Sequence, residues 1–271
     1  MKIYYLIIVL LILPGAAWAA PQQQMPKMEE CCPAEMLPPR YAMDERYPPK
    51  QKFGDIDPVH DNEIFWTFRA DRLEHHVTDD EDKWVWEVDA WVGADYNKLY
   101  LKSEGEKIES GDVEHSTLDV LYSRNVHSFW DLQAGIRHDF EPLPTRTFAA
   151  LGFQGLAPQW FEVDTTMYLS DDGDLSLDFE VEYEIMLTQR LILVPRLETT
   201  ITAQSVPEYN IGQGLTGIET GARLRYDIHR KFGPYIGISW MRKYFETADL
   251  IEADGGNIES TAFVAGIRIW Y

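Results

Sequence analysis

The sequence predicts an all-β protein, an antiparallel transmembrane β-barrel of twelve strands behind a disordered N-terminal arm. Three observations predict it. From about residue 63 onward, apolar and polar side chains alternate in runs long enough to cross a bilayer. The connections between runs alternate between short and long. The chain also opens on a secretory signal.

Residues 1–19 are the signal. Lys2 precedes an apolar run from Ile3 to Leu13, Pro14 and Gly15 break it, and Ala17-Trp18-Ala19 supplies the small-x-small cleavage pattern. The run is too short for a spanning helix of about 20 residues. Residues 20–60 are rich in Pro, Gln, Met and Lys/Glu and follow neither a helical nor a strand period, which makes them a disordered arm. Residues 61–271 are the barrel.

Cleavage leaves 45 acidic against 23 basic side chains, a net of −22. Such a surface repels nucleic-acid phosphates and concentrates cations. Mean hydropathy of −0.30 excludes a helical membrane protein, but not a barrel, in which half of each strand faces a polar lumen.

The pattern is clearest over 174–185. Asp174, Ser176, Asp178, Glu180, Glu182 and Glu184 hold one parity; Leu175, Leu177, Phe179, Val181, Tyr183 and Ile185 hold the other. A strand places these sets on opposite faces, whereas a helix would mix them. The same reading puts strands at about 63–77, 83–95, 98–108, 112–124, 128–140, 146–155, 160–170, 174–187, 190–204, 216–229, 234–246 and 258–271. Connections after even strands are mostly short, as at 96–97, 157–159 and 188–189. Those at 205–215 and 247–257, after odd strands, are long and polar. Short periplasmic turns and longer outer loops have this asymmetry, so both termini are expected in the periplasm. The terminal pair Trp270-Tyr271 suits recognition by barrel-assembly machinery. Outer-membrane lipid of a Gram-negative bacterium is therefore the expected surrounding. A soluble sandwich or lipocalin-like barrel is the alternative for the same alternation.

No catalytic constellation appears, so the chain is not expected to be an enzyme. Ser128 beside His127 and Ser116 beside His115 are formal dyads, but adjacent strand residues point to opposite faces. Metal chemistry has more support. Met25, Met28, Cys31, Cys32, Met36 and Met43 cluster in the arm, and thioether and thiolate donors select Cu(I). The adjacent cysteines are poorly placed for a structural disulfide. Among seven histidines, His60 borders the arm, and parity turns His115 and His229 toward the lumen. Imidazole suits Cu and Zn alike. These nine residues are the candidate metal ligands, with copper ions as cargo. Inward parity also falls on Glu87, Asp89, Glu162, Asp164, Asp178, Glu180, Glu182, Arg196, Glu198, Glu219, Arg223, Arg225 and Arg268. Such a lumen could be blocked by ion pairs or could favour cations.

Several strings resemble the copper resistance protein B family: Tyr96 to Glu106 (YNKLYLKSEGE), Phe129 to Gly135 (FWDLQAG), Gln154 to Pro158 (QGLAP), Leu187 to Leu193 (LTQRLIL), and Arg223 to Trp240 with its Pro234-Tyr235-Ile236-Gly237. The resemblance spans about residues 63–271. It implies an outer-membrane protein of copper-resistance operons that binds copper and sequesters or passes it, acting with a periplasmic multicopper oxidase. The family's arm is usually dense in Met and His. This arm departs from that, with four methionines, no histidine before His60 and the Cys31-Cys32 pair. A general pore and a barrel-embedded hydrolase are the competing readings.

Overall fold

The computed structural model describes residues 63–78, 81–109, 111 and 113–271; the expected signal and arm lie outside the described residues. Twelve antiparallel strands follow in chain order: β1 (Phe65–Val77), β2 (Lys83–Gly93), β3 (Asn97–Ile108), β4 (Val113–His127), β5 (Trp130–Glu141), β6 (Arg146–Ala157), β7 (Phe161–Ser170), β8 (Leu175–Glu182, resuming at Ile185–Met186), β9 (Leu191–Thr202), β10 (Gly214–Tyr226), β11 (Phe232–Lys243) and β12 (Glu259–Trp270). Each pairs with its neighbours in sequence, and β1 pairs with β12, so the sheet closes and leaves no edge. Closure runs to the last residue, where Tyr271 and Phe68 exchange two backbone hydrogen bonds of 3.0 and 2.8 Å.

The protein is inverted relative to a soluble one. Leu101, Ile136, Leu151, Phe153, Ile236, Ile238 and Phe263 are exposed on the outside, while Arg72, Glu74, Asp89, Asp119, Gln133 and Arg196 are buried inside. An apolar outer wall around a polar interior is stable only with lipid outside. Trp66 and Tyr271, with ring centroids 5.2 Å apart, contribute aromatic surface at the end that holds the C-terminus. We call this the terminal end and the opposite one the distal end. No helix among the described residues is long and apolar enough to cross a membrane.

Two local departures bear on the lumen. β8 breaks at Tyr183-Glu184 because it faces Pro195 of β9, which has no N–H to donate; Tyr183 N–H instead reaches the Pro195 carbonyl at 3.2 Å. β1 carries a bulge between Ala70 and Leu73, where Asp71 and Arg72 together occupy the space opposite Arg268. A bulge adds one residue and reverses the parity beyond it.

The distal end holds the longer connections. The last of them contains a helix, α1 (Phe245–Ala253), which begins within the expected strand 234–246 and runs into the segment 247–257 read as a long polar connection. β11 stops at Lys243, short of the expected residue 246. β10 stops at Tyr226, short of 229.

Candidate functional site: a braced lumen in two chambers

Acids face acids across neighbouring strands. Glu87 of β2 lies opposite Glu104 of β3, and Glu198 of β9 lies between Glu180 and Glu219. Like charges in such register repel. Two arginines from opposing walls offset this. Arg196 sits 2.7 Å from Glu180, 3.1 Å from Glu198 and 3.2 Å from Glu87 across the lumen. Arg72 lies 3.5 Å from Glu87 and 3.7 Å from Glu219. Together they form a layer of guanidinium and carboxylate across the middle of the barrel.

Further braces cross at other heights. Lys102 of β3 holds Asp164 of β7 at 2.6 Å, and Arg268 and Arg225 converge on Glu184 at 2.9 and 2.8 Å. Glu74 is fully buried, at 0% exposure. Its carboxylate accepts two hydrogen bonds from Arg223 at 2.6 and 3.1 Å and one from the Tyr235 hydroxyl at 3.0 Å, and lies 2.7 Å from His76 Nε2. A buried carboxylate needs such complete pairing. The other side of the lumen is filled by Tyr100, Leu121, Phe148, Ala150 and Tyr168. The Arg137 guanidinium lies over the Tyr168 ring at 4.8 Å.

Two cavities lie among the described residues of the lumen. One of about 300 Å³ is lined by Arg69, Asp71, Asp89, Glu162 and Arg268 toward the terminal end. A distal one of about 570 Å³ is lined by Lys83, Glu106, His115, Asp139, Met241 and Ile251. Glu87, Glu104, Arg137, Asp178 and Glu198 border both, so the chambers meet at the charged layer.

The two longest connections join at the distal mouth. Glu246, in the first turn of α1, accepts hydrogen bonds from the Gln213 backbone N–H at 2.8 Å and the Ser205 hydroxyl at 2.9 Å. These two donors hold its carboxyl below the usual carboxylate range. Gly212 N–H donates to the Thr247 hydroxyl at 2.9 Å. Tyr209 on the same connection donates to the Pro144 carbonyl at 3.0 Å, and Arg146 stacks 4.5 Å over its ring.

The inward set read from parity, Glu87 through Arg268, faces the lumen as expected. The metal candidates fare unequally. Met25, Met28, Cys31, Cys32, Met36, Met43 and His60 lie outside the described residues. His115 lines the distal chamber. His229 does not face the lumen: β10 has ended three residues earlier, and His229 sits exposed in the turn to β11, bridged to Phe232. Parity has no meaning once a strand stops. His115 and His229 therefore occupy opposite ends of the barrel. The structure adds Met241, a soft donor in the distal chamber; its register opposite Glu219 was the available signal. It also turns Glu74 and His76 inward through the bulge, which no alternation rule anticipates. His75 faces outward, its ring 4.7 Å from that of Trp84.

Comparison with known proteins gives a consistent result. The model of the family described as copper resistance protein B precursor matches residues 64–271. The chain is 40% identical over 224 residues to copper resistance protein B of Escherichia coli, covering 82% of this chain and 75% of that one. It is 37% identical over 213 residues to a copper resistance protein B homolog of Pseudomonas syringae pv. tomato, covering 79% and 72%. Among solved structures, the NanC porin aligns with a TM-score of 0.48 at 12% identity, covering 76% of this chain and 99% of that one. Outer membrane phospholipase A from Escherichia coli aligns with a TM-score of 0.44 at 13% identity, covering 75% and 92%. A transmembrane barrel with a charged lumen, matched by family model and by relatives over nearly all its described length, belongs to the copper resistance protein B family.

Proposed function

We propose that the protein serves copper resistance at the outer membrane of a Gram-negative cell by binding copper and holding or passing it, rather than by forming an open pore. The observation that carries this reading is the charged layer. Acids lining both chambers attract cations, while Arg72 and Arg196 interrupt the path between them. Such a lumen retains a cation better than it conducts one. The relatives bear copper resistance in their names.

In this reading the termini are periplasmic, and the Met and Cys donors of residues 20–60 take up Cu(I) there. His115 and Met241 offer an imidazole and a thioether in the distal chamber. A periplasmic multicopper oxidase is the partner that the family resemblance implies. The reading is non-catalytic. His115 lines the distal chamber, whereas Ser116 occupies the opposite parity and so cannot share a proton with it.

The test is Cu(I) affinity of the full chain against a variant with alanine at Met25, Met28, Cys31, Cys32, Met36 and Met43. A loss of the tightest Cu(I) equivalent supports the reading, and unchanged affinity removes the arm from it. Planar-bilayer recordings complete the test, since a wide, unselective current would favour a general pore.

A further inference from the structure

On the outer face of the distal rim, three metal-binding side chains from separate segments converge. His75 comes from the end of β1, Asp82 from the connection to β2, and Glu109 from just beyond β3. One donor atom of each lies within 4.8 Å of the others. We propose that these three residues form a surface site for a divalent transition-metal ion, separate from the lumen and from the arm.

His75 and Asp82 are held by contacts outside the triad, and Glu109 is tied to Asp82 through its backbone. The His75 ring is held against Trp84 in an edge arrangement, centroids 4.7 Å apart and planes at 60°. The Asp82 carboxylate accepts the Thr78 N–H at 3.2 Å. The Glu109 N–H donates to the Asp82 carbonyl at 2.9 Å, tying the two connections together. His75 Nε2 and Glu109 Oε2 are 3.5 Å apart, too long for a good hydrogen bond. His75 and Glu109 are thus a long ion pair with Asp82 beside it, two carboxylates around one imidazole, an arrangement that a cation among them would favour.

The dimensions suit an ion. Metal bonds of about 2.0–2.2 Å to imidazole and carboxylate hold donors roughly 3–4 Å apart. A small rotamer change closes the present separations, and Glu109, 60% exposed, is free to make it. One nitrogen and two carboxylate oxygens form a borderline donor set. It leaves coordination positions for water and binds Cu(II) most tightly among the first-row divalent ions. This chemistry differs from that of the soft-donor arm, so each can fail without the other.

The experiment is a Cu(II) titration of the full-length chain in detergent against a competing chelator, with electron paramagnetic resonance at less than one equivalent. The expected spectrum shows a single coordinated nitrogen. Glu109→Gln, an exposed change that leaves the fold intact, should weaken this equivalent more than about tenfold, given that losing even an outer-shell partner costs about 10–100-fold. His75→Ala should abolish the nitrogen signature, and His115→Ala should leave it in place. The proposal is overturned if Glu109→Gln and His75→Ala both bind Cu(II) as the unaltered chain does, which would make the cluster an ion pair only.

Discussion

Arg196 on β9 meets Glu87 on β2 at 3.2 Å across the middle of the barrel, although β10, β11, β12 and β1 separate the two strands along the wall. The same guanidinium holds Glu180 at 2.7 Å and Glu198 at 3.1 Å on its own side. With Arg72 it makes up the charged layer between the two chambers. Arg196→Ala is expected to join the two chambers and raise single-channel conductance for small cations, with anions lagging because the exposed groups are acids. Its cost in stability is near 3 kcal/mol, the lower end for breaking a buried pair, because the acids it releases retain contact with lumen water. Conductance at the level of the unaltered chain would show that Arg196 does not close the path.

Glu74→Ala removes a carboxylate with Arg223, Tyr235 and His76 around it. Arg223, itself 6% exposed, loses the carboxylate that accepts both of its hydrogen bonds. A destabilisation of about 3–5 kcal/mol is expected, readable as a lower temperature for loss of the folded band in heat-modifiability gels. Glu74→Gln keeps the shape and should lose less.

The distal connections should loosen in acid. The folded Glu246 carboxyl lies below its ordinary value because of the Gln213 N–H and the Ser205 hydroxyl. The contribution of this contact is therefore complete above about pH 4.3, the usual unfolded value for Glu. It is lost as pH falls through the lower folded value. Hydrogen exchange at the Gln213 amide should accelerate over that window, and Glu246→Gln should exchange fast at every pH. A rate that follows only the intrinsic pH dependence of exchange would exclude the carboxylate as the tie.

The bulge in β1 permits a topological test. Deleting Asp71, the extra residue, brings β1 into simple alternation with β2 and β12 while Arg69, Arg72, Glu74 and His76 all keep their inward parity. The deletion should therefore still assemble into the membrane, losing only the Asp71 pairs with Arg268 at 2.8 Å and Arg69 at 2.7 Å. Failure to assemble would show that the bulge itself is required, and not merely the inward parity of these residues.

Gly135 tests wall packing. A Cβ at this position would lie 2.0 Å from the Val120 carbonyl oxygen, a backbone atom with no freedom to withdraw. Gly135→Ala should destabilise the barrel by about 1–3 kcal/mol, measured as thermal unfolding in detergent. A neutral result would place the local flexibility of β4 and β5 above that implied by their pairing.

Most of the barrel was legible because its physics is short-range. Period-two alternation is written residue by residue, and all twelve expected strands exist within a few residues of their expected ends. What was hidden depends on contacts between distant segments. The inward turn of Glu74 and His76 follows from one extra residue opposite Arg268. The exposed position of His229 follows from where β10 loses its partner. The rim cluster joins residues 75, 82 and 109, whose approach depends on how two connections meet. Met241, by contrast, shares the inward parity of Tyr235 and Ser239, so its place in the lumen was open to the alternation rule.

The spans from Arg196 to Glu87, Lys102 to Asp164 and Arg268 to Glu184 give the cylinder something an empty tube lacks. A hollow wall of this girth flattens easily under lateral pressure from the lipid, and its bore changes with every change in membrane tension. Internal spokes resist that ovalisation. Any widening of the lumen then requires individual side chains to release their partners, so the interior is expected to answer to its own chemistry more than to the mechanics of the surrounding membrane.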